Sequence, residues 1–175
     1  IVSHDLRNPL RVAGGRLELI REECASDHVD DVGQALDRMD TLIEDLLTLA
    51  REGEQVGETK PAGLADVAKT SWQTVNTEQA TLETDTTQAI QADRSRLQQL
   101  FENLYRNAVE HGGDEVTVSV GATDDGFYVA DTGPGIPESD REEVFKAGYS
   151  TNEDGTGFGL RIVEQIADAH GWEII

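Results

Sequence analysis

The chain has a single cysteine, Cys24, in 175 residues. That excludes an internal disulfide and a zinc site built on cysteines. It has no apolar run near the ~20 residues needed to span a bilayer, and no signal or targeting segment at its start. Lysine is scarce, with three among 14 basic residues, against 35 acidic ones and a formal net charge of −21. No basic stripe is left to neutralise phosphates, so a nucleic-acid partner is not expected. Disorder would be one meaning of such charge, but regular apolar spacing argues against it. An acid-rich, lysine-poor surface on an ordered chain points to adaptation to high salt, where repulsion is screened within ~3 Å at 1 M. The chain lacks an initiator methionine, and Ile1 and Val2 already join a helical pattern. It therefore reads as a piece of a longer chain.

Two helices open the sequence. Val2, Leu6, Leu10, Ala13, Leu17 and Ile20 are spaced 4, 4, 3, 4, 3, and Val29, Val32, Leu36, Met39, Ile43, Leu46 and Ala50 are spaced 3, 4, 3, 4, 3, 4. These are bundle seams. The polar break between them predicts an antiparallel hairpin over residues 1–52, and a dimer making a four-helix bundle would bury both seams. Residues 53–61 are polar, with glycines and a proline, and read as a linker. From 62 to 175 the pattern is mixed. A helix over GLADVAKTSWQTV precedes strand candidates TLETDT and AIQA. Asp93 is placed to cap a long helix reaching His111. EVTVSVGAT and GFYVADT alternate around DDG as a hairpin. A helix from about Gly157 to His170 follows, and WEII reads as the start of a strand that is cut off. This half is an α+β domain.

Four stretches carry chemistry. In SHDLRNPL, His4 falls about 190° around the helix axis from the apolar seam, with Asn8 one turn on. An exposed histidine is ordinarily a solvated residue, but Asp5 beside it can hold one ring nitrogen as N–H and leave the other free to attack. Pro9 costs ~3 kcal/mol inside a helix and predicts a kink that packing does not explain. On the long helix, Asn103 and Asn107 sit one turn apart, off the apolar stripe. Asparagine is a poor mid-helix residue, and amide oxygens suit Mg²⁺. In DTGPGIP, Gly133 and Gly135 permit close backbone approach, and Asp131 can accept from an amino group such as adenine's. An incidental Gly/Pro turn is the plainer alternative there. GTGFGL sets Gly155, Gly157 and Gly159 before an apolar helix, where glycine amides make a phosphate site. It is neither a Walker loop nor a dinucleotide fingerprint. Six of 17 glycines fall within 133–159, which predicts a lid that orders on ligand.

Taken together, these stretches resemble the transmitter core of a sensor histidine kinase of a two-component system. SHDLRNPL is similar to that family's H box, NLYRNA to its N box, DTGPGIP to its G1 box, VFKAGYST to its F box and GTGFGL to its G2 box, all in the family's order. The resemblance implies a helical hairpin followed by an α/β sandwich shared with gyrase and MutL, with its last strands missing. It implies a cytoplasmic homodimer that binds ATP and Mg²⁺ and serves a response-regulator receiver domain, with any membrane attachment upstream. His4 would be the phosphoacceptor, Asp5 its general base, and Asn8 the residue orienting water in dephosphorylation. Asn107 would hold Mg²⁺ with Asn103 nearby, and Asp131 would read the adenine. Gly133, Gly135, Gly155, Thr156, Gly157, Gly159 and Leu160 would shape the nucleotide pocket, and Phe145 is the F-box aromatic. One departure matters. Such kinases often carry Lys and Tyr where this chain has Glu110 and His111, leaving Arg106, Lys146 or Arg161 to meet the phosphates. A gyrase- or MutL-type ATPase and a degenerate dimeric scaffold are the alternatives. The first is disfavoured because Asn103 stands where those enzymes need a glutamate base.

Overall fold

The computed structural model describes residues 2–23, 26–50, 57–75, 79–113, 115–150 and 155–175; the side chains of residues 2–6, 22, 23 and 27 lie outside that description. The chain forms two compact units, Ile1–Glu52 and Gly53–Ile175.

The first unit is a hairpin of α1 (Val2–Glu23) and α2 (Asp27–Leu49). Ion pairs Arg7–Glu44 at 3.3 Å and Arg21–Asp30 at 3.2 Å tie the helices antiparallel. Leu17 is buried between them, and Gly33 lets the helices close up, since a Cβ there would lie 3.4 Å from Leu17 and against the Arg21 guanidinium. α1 continues unbroken through Pro9. The proline has no N–H for the Asp5 carbonyl one turn back.

The pairing leaves apolar side chains outside. Ile20, Val32, Met39 and Leu46 of the two seams, and Val12 and Leu19, which lie off the α1 seam, remain 45–62% exposed. The ion-pair register sets Val12 level with Met39 and Leu19 level with Val32, so one stripe two helices wide faces outward. Inside, α2 buries Asp45 and Thr48, which no apolar spacing announces. The Thr48 hydroxyl returns its hydrogen to the Glu44 carbonyl at 2.9 Å.

The second unit contains β1 (Lys60–Gly63), α3 (Leu64–Trp72), β2 (Thr81–Asp85), β3 (Ala89–Ala92), α4 (Arg94–Gly112), β4 (Thr117–Ala122), β5 (Phe127–Asp131) and α5 (Gly159–His170). β2, β4 and β5 form one sheet, with β2 parallel to β4 and β4 antiparallel to β5. β1 and β3 form a separate antiparallel pair. α4 packs between α3 and α5, and the helical layer covers the three-stranded sheet. Leu64, Val67, Leu97, Leu100, Phe101, Val118, Val120, Ile162 and Ile166 close the core between the layers. This is an α+β two-layer sandwich, as the sequence predicts.

An aromatic chain threads it. Trp72 meets Tyr105 edge-on at 5.0 Å, Tyr105 stacks on Phe101 at 5.6 Å, and Phe101 meets Phe127 at 5.9 Å. Phe127 then meets Trp172 at 5.6 Å, and Trp172 stacks on His170 at 4.2 Å. Both tryptophans are half-buried in this chain. Tyr105 is fully buried and donates to the Ala68 carbonyl at 3.3 Å. Burial raises its hydroxyl pKa.

Asp93 caps α4 as expected, accepting from the N–H groups of Ser95 at 3.0 Å and Arg96 at 3.3 Å. A cap of this kind is worth about 0.5–2 kcal/mol. It does more than the sequence predicts. Its second oxygen takes the Gly57 N–H at 3.1 Å, and its own N–H donates to His170 Nε2 at 3.0 Å. With Nε2 accepting, the proton sits on Nδ1, 2.8 Å from the Ile166 carbonyl in the last turn of α5.

Two elements differ from expectation. Composition assigns Lys60 and Pro61 to a linker, yet they open β1, where the short two-stranded pairing leaves Pro61 on an edge that needs no donor. WEII forms no strand among the described residues. Trp172 instead donates its N–H to the Ala167 carbonyl at 2.9 Å, closing α5 after Gly171 at φ 72°.

Candidate functional site

The candidate residues fall in both units. On α1, His4 and Asp5 occupy the helix backbone, and their side chains are outside the described residues. Asn8, one turn on, is exposed, as is Pro9. Beside them Arg7 reaches across to Glu44.

In the second unit, α4 organises the rest. Asn103 is only 3% exposed, and its Nδ2 donates to the Gln99 carbonyl one turn back at 2.9 Å. That bond fixes the amide and turns its oxygen outward from α4. The oxygen meets the start of α5: a Cβ built on Gly159 would stand 3.5 Å from Asn103 Oδ1 and 3.2 Å from Asn107 Oδ1. Glycine at 159 thus leaves a cradle where two amide oxygens face the first residue of a helix. The free N–H groups of a helix start favour anions, and amide oxygens favour a hard cation. A divalent metal carrying phosphate oxygens fits this combination, with Asn107 and Asn103 as the protein oxygens.

The DTGPGIP turn abuts the far end of α4. Asp131, exposed at the end of β5, accepts from the Gly133 N–H at 2.8 Å. A Cβ at Gly133 would come within 2.9 Å of the Gly112 Cα, a close approach that Gly112 itself did not signal in the sequence. Gly135 needs its φ of 71°. The GTGFGL stretch is tied to the preceding F-box segment. The Gly148 N–H donates to the Gly157 carbonyl at 2.9 Å, and a Cβ on Gly157 would lie 2.6 Å from the Gly148 carbonyl carbon. The Phe158 N–H donates to Thr156 Oγ1 at 3.4 Å. Phe145, Gly155, Thr156 and Leu160 are half-buried. Hydrogen bonds and close approaches therefore join Asn103 and Asn107 to Gly159, Asp131 to Gly133 and α4, and Gly157 to Gly148. Among the described residues, no ring contact joins Phe145 to the others.

Of the three basic candidates, Lys146 pairs with Glu143 at 2.6 Å, which raises its pKa, and Arg161 pairs with Glu164 at 2.5 Å. Arg106 is half-buried on α4 next to Asn107 and forms no ion pair among the described residues.

Residues 1–55 match the His Kinase A (phospho-acceptor) domain, and residues 92–175 match the histidine kinase-, DNA gyrase B- and HSP90-like ATPase family. The chain belongs to the sensor histidine kinase family. This histidine kinase core is 31% identical over 190 residues to the sensor histidine kinase ZraS of Salmonella typhimurium, across 99% of this chain and 40% of that protein. It therefore spans about 40% of the length of such curated relatives. The fold is similar to that of Acinetobacter baumannii histidine kinase AdeS, with a TM-score of 0.63 and 23% identity, covering 95% of this chain and 86% of that one. It is also similar to histidine kinase ThkA, solved in complex with the response regulator protein TrrA, with a TM-score of 0.60 and 23% identity, covering 94% of this chain and 53% of that one. The ATPase match begins at residue 92, so β1, α3 and β2 of the histidine kinase core lie in the same compact unit but ahead of it.

Proposed function

We propose that the chain is the catalytic core of an ATP-dependent protein histidine kinase that phosphorylates its own His4 and passes the phosphoryl group to an aspartate of a response-regulator receiver domain. The observation that carries this is the convergence of the Asn103 and Asn107 oxygens on Gly159, in a chain whose first residues match a phosphoacceptor domain. In this reading residues 1–52 dimerise and accept phosphate, the stretch that leads into β1 connects, and 62–175 bind the nucleotide.

A ring nitrogen of His4 attacks the γ-phosphorus of ATP, the bond to the β-phosphate oxygen breaks, and ADP leaves. Asp5 takes the imidazole proton. The transition state is loose, so positioning and charge stabilisation do most of the work. Asn107, with Asn103 beside it, would hold Mg²⁺, which would supply positive charge against that developing on the phosphates. The start of α5 together with Gly155, Thr156, Gly157 and Leu160 encloses the phosphates. Asp131 accepts from the adenine amino group beside Gly133 and Gly135, and Phe145 flanks the pocket. Arg106, with no acidic partner to hold it, is the basic residue best suited to meet phosphate. Water activation of the gyrase or MutL kind is disfavoured, because the Asn103 amide is no base and is bonded to Gln99.

The partner of the hairpin is a second copy. The outward stripe of Val12, Leu19, Val32, Met39 and Leu46 repeats at seven residues on each helix, the spacing of a bundle seam. Among the described residues no helix is long and apolar enough to cross a membrane.

The decisive experiment incubates the protein with γ-labelled ATP and Mg²⁺. Label bound to protein, lost in acid and kept in alkali, supports the kinase; free phosphate with unlabelled protein supports an ATPase, and neither supports a scaffold. Asn8→Ala should retain autophosphorylation while slowing receiver dephosphorylation about tenfold or more, the scale of one lost positioning contact. Equal dephosphorylation in mutant and parent would refute that role. The net charge of −21 supports adaptation to molar salt. The melting temperature should climb steadily as KCl rises from dilute buffer to the molar range; a flat profile would count against it.

A further inference from the structure

Four segments meet at Asp93. Its Oδ1 accepts from the Ser95 and Arg96 N–H groups at the start of α4, and its own N–H donates to His170 at the end of α5. Ala92, the residue before it, pairs with Lys60 of β1. Its Oδ2 accepts from the Gly57 N–H at 3.1 Å, across 36 residues of sequence. Glycine is what admits that bond. A Cβ at residue 57 would lie 2.6 Å from Asp93 Oδ2 and push the carboxylate off the N–H. A carboxylate on a backbone N–H makes a charge-assisted bond, stronger than a neutral one.

This junction is remote from the amide cradle. Asn107 follows Asp93 by 14 residues along α4, which is about 21 Å at 1.5 Å per residue. α5 runs the other way, from Gly159 beside Asn107 to His170 beside Asp93. The junction does fix where the chain from the hairpin is first held by the sandwich. With the Gly57 bond made, that point is residue 57; without it, the first tie is Lys60 in the β1 ladder. Measured from Ala50, which closes α2, the span between fixed points grows from residues 51–56 to residues 51–59. Three residues add about 10 Å of contour.

We propose that Asp93 and Gly57 form a clasp that keeps the connection between hairpin and sandwich short, and so raises the effective concentration of bound nucleotide at His4. Asp93 is then a positioning residue for phosphoryl transfer, acting through the connection and not on the nucleotide. The inference rests on the proposed kinase reading and adds a determinant of its rate. Effective concentration falls roughly as the −3/2 power of tether length, or more steeply, once the tether can span its sites. Opening the clasp should therefore slow transfer about two- to threefold.

The test breaks the bond from either side in the full chain. Asp93→Asn keeps an oxygen for the α4 cap, where asparagine serves as well as aspartate, and sets an NH₂ group against the Gly57 N–H. Gly57→Ala fills the place of the carboxylate oxygen. Three quantities are measured: amide hydrogen exchange at Gly57, the rate of acid-labile labelling across ATP concentrations, and affinity for the non-hydrolysable analogue AMP-PNP. In Asp93→Asn the Gly57 amide should exchange about tenfold faster. In both variants the maximal labelling rate should fall about two- to threefold, with KM for ATP and AMP-PNP affinity at the parent's values. The double variant should be no slower than either single one, because both remove the same bond. Glu58→Gln removes a neighbouring carboxylate, the partner of Lys60, without touching the clasp, and should match the parent. Parental maximal rates in both variants, an equal loss in Glu58→Gln, or a parent whose Gly57 amide exchanges as fast as that of Asp93→Asn overturns the inference while leaving the kinase reading standing. So does a drop in AMP-PNP affinity that matches the drop in rate. A parent chain that takes up no acid-labile label sinks both.

Discussion

His4→Gln is expected to abolish the acid-labile phosphoprotein, lowering incorporated label by at least ~10³-fold, to the assay background. The effect is large because the substitution removes the only nucleophile of the reaction rather than weakening a contact. Glutamine is a good helix former, close to the best in intrinsic propensity, so α1 should persist. The nucleotide residues belong to the other compact unit, so AMP-PNP affinity should equal the parent's. The two readouts together separate loss of chemistry from loss of fold. Label persisting on His4→Gln, in acid-labile form, would assign the acceptor elsewhere and remove the role given to Asp5 and Asn8.

Gly157→Ala is expected to damage both stability and nucleotide binding. Gly157 has φ 70°, where an L-residue costs roughly 1–2 kcal/mol. A new Cβ would also lie 2.6 Å from the Gly148 carbonyl carbon and 2.8 Å from the Tyr149 oxygen, both backbone atoms that cannot swing aside. Relief requires parting the Gly148–Gly157 hydrogen bond, and with it the link between the GTGFGL stretch and the F-box segment. Nucleotide affinity should fall about tenfold or more, since each 1.4 kcal/mol is one decade, and the melting temperature by several degrees. Gly171→Ala provides the comparison. Its φ is 72°, but nothing stands within 4 Å of the added carbon. It should cost stability through backbone strain alone and leave affinity unchanged. If the two variants lose equal affinity, the clash at Gly157 is irrelevant to the site.

What could be read in advance was what local periodicity encodes. The α1 and α2 seams, the Asp93 cap and the β4–β5 hairpin each depend on residues near one another in sequence, and helical spacing even put Asn103 and Asn107 on one face. What escaped depends on neighbours far along the chain. β1 exists only because Lys60–Gly63 finds Ala89–Ala92, and its proline argues locally for a linker. Gly112 is an ordinary helix-end glycine until Gly133 closes on it. Asp45 is polar, and nothing in its spacing predicts that the hairpin buries it while Val32, Met39 and Leu46 stay outside. The pairing of Lys146 with Glu143 and of Arg161 with Glu164, three residues apart in each case, is by contrast local and legible in the sequence.

The ring chain from Trp72 to Trp172 has a spectroscopic corollary. Every Trp, Tyr and Phe of the sequence lies beyond residue 70. Intrinsic fluorescence and near-ultraviolet dichroism therefore observe the sandwich alone, and the hairpin is optically silent in both. A denaturation followed by emission will register one transition even if the hairpin melts separately. Only far-ultraviolet dichroism, which counts the turns of α1 and α2 as well, can reveal the other.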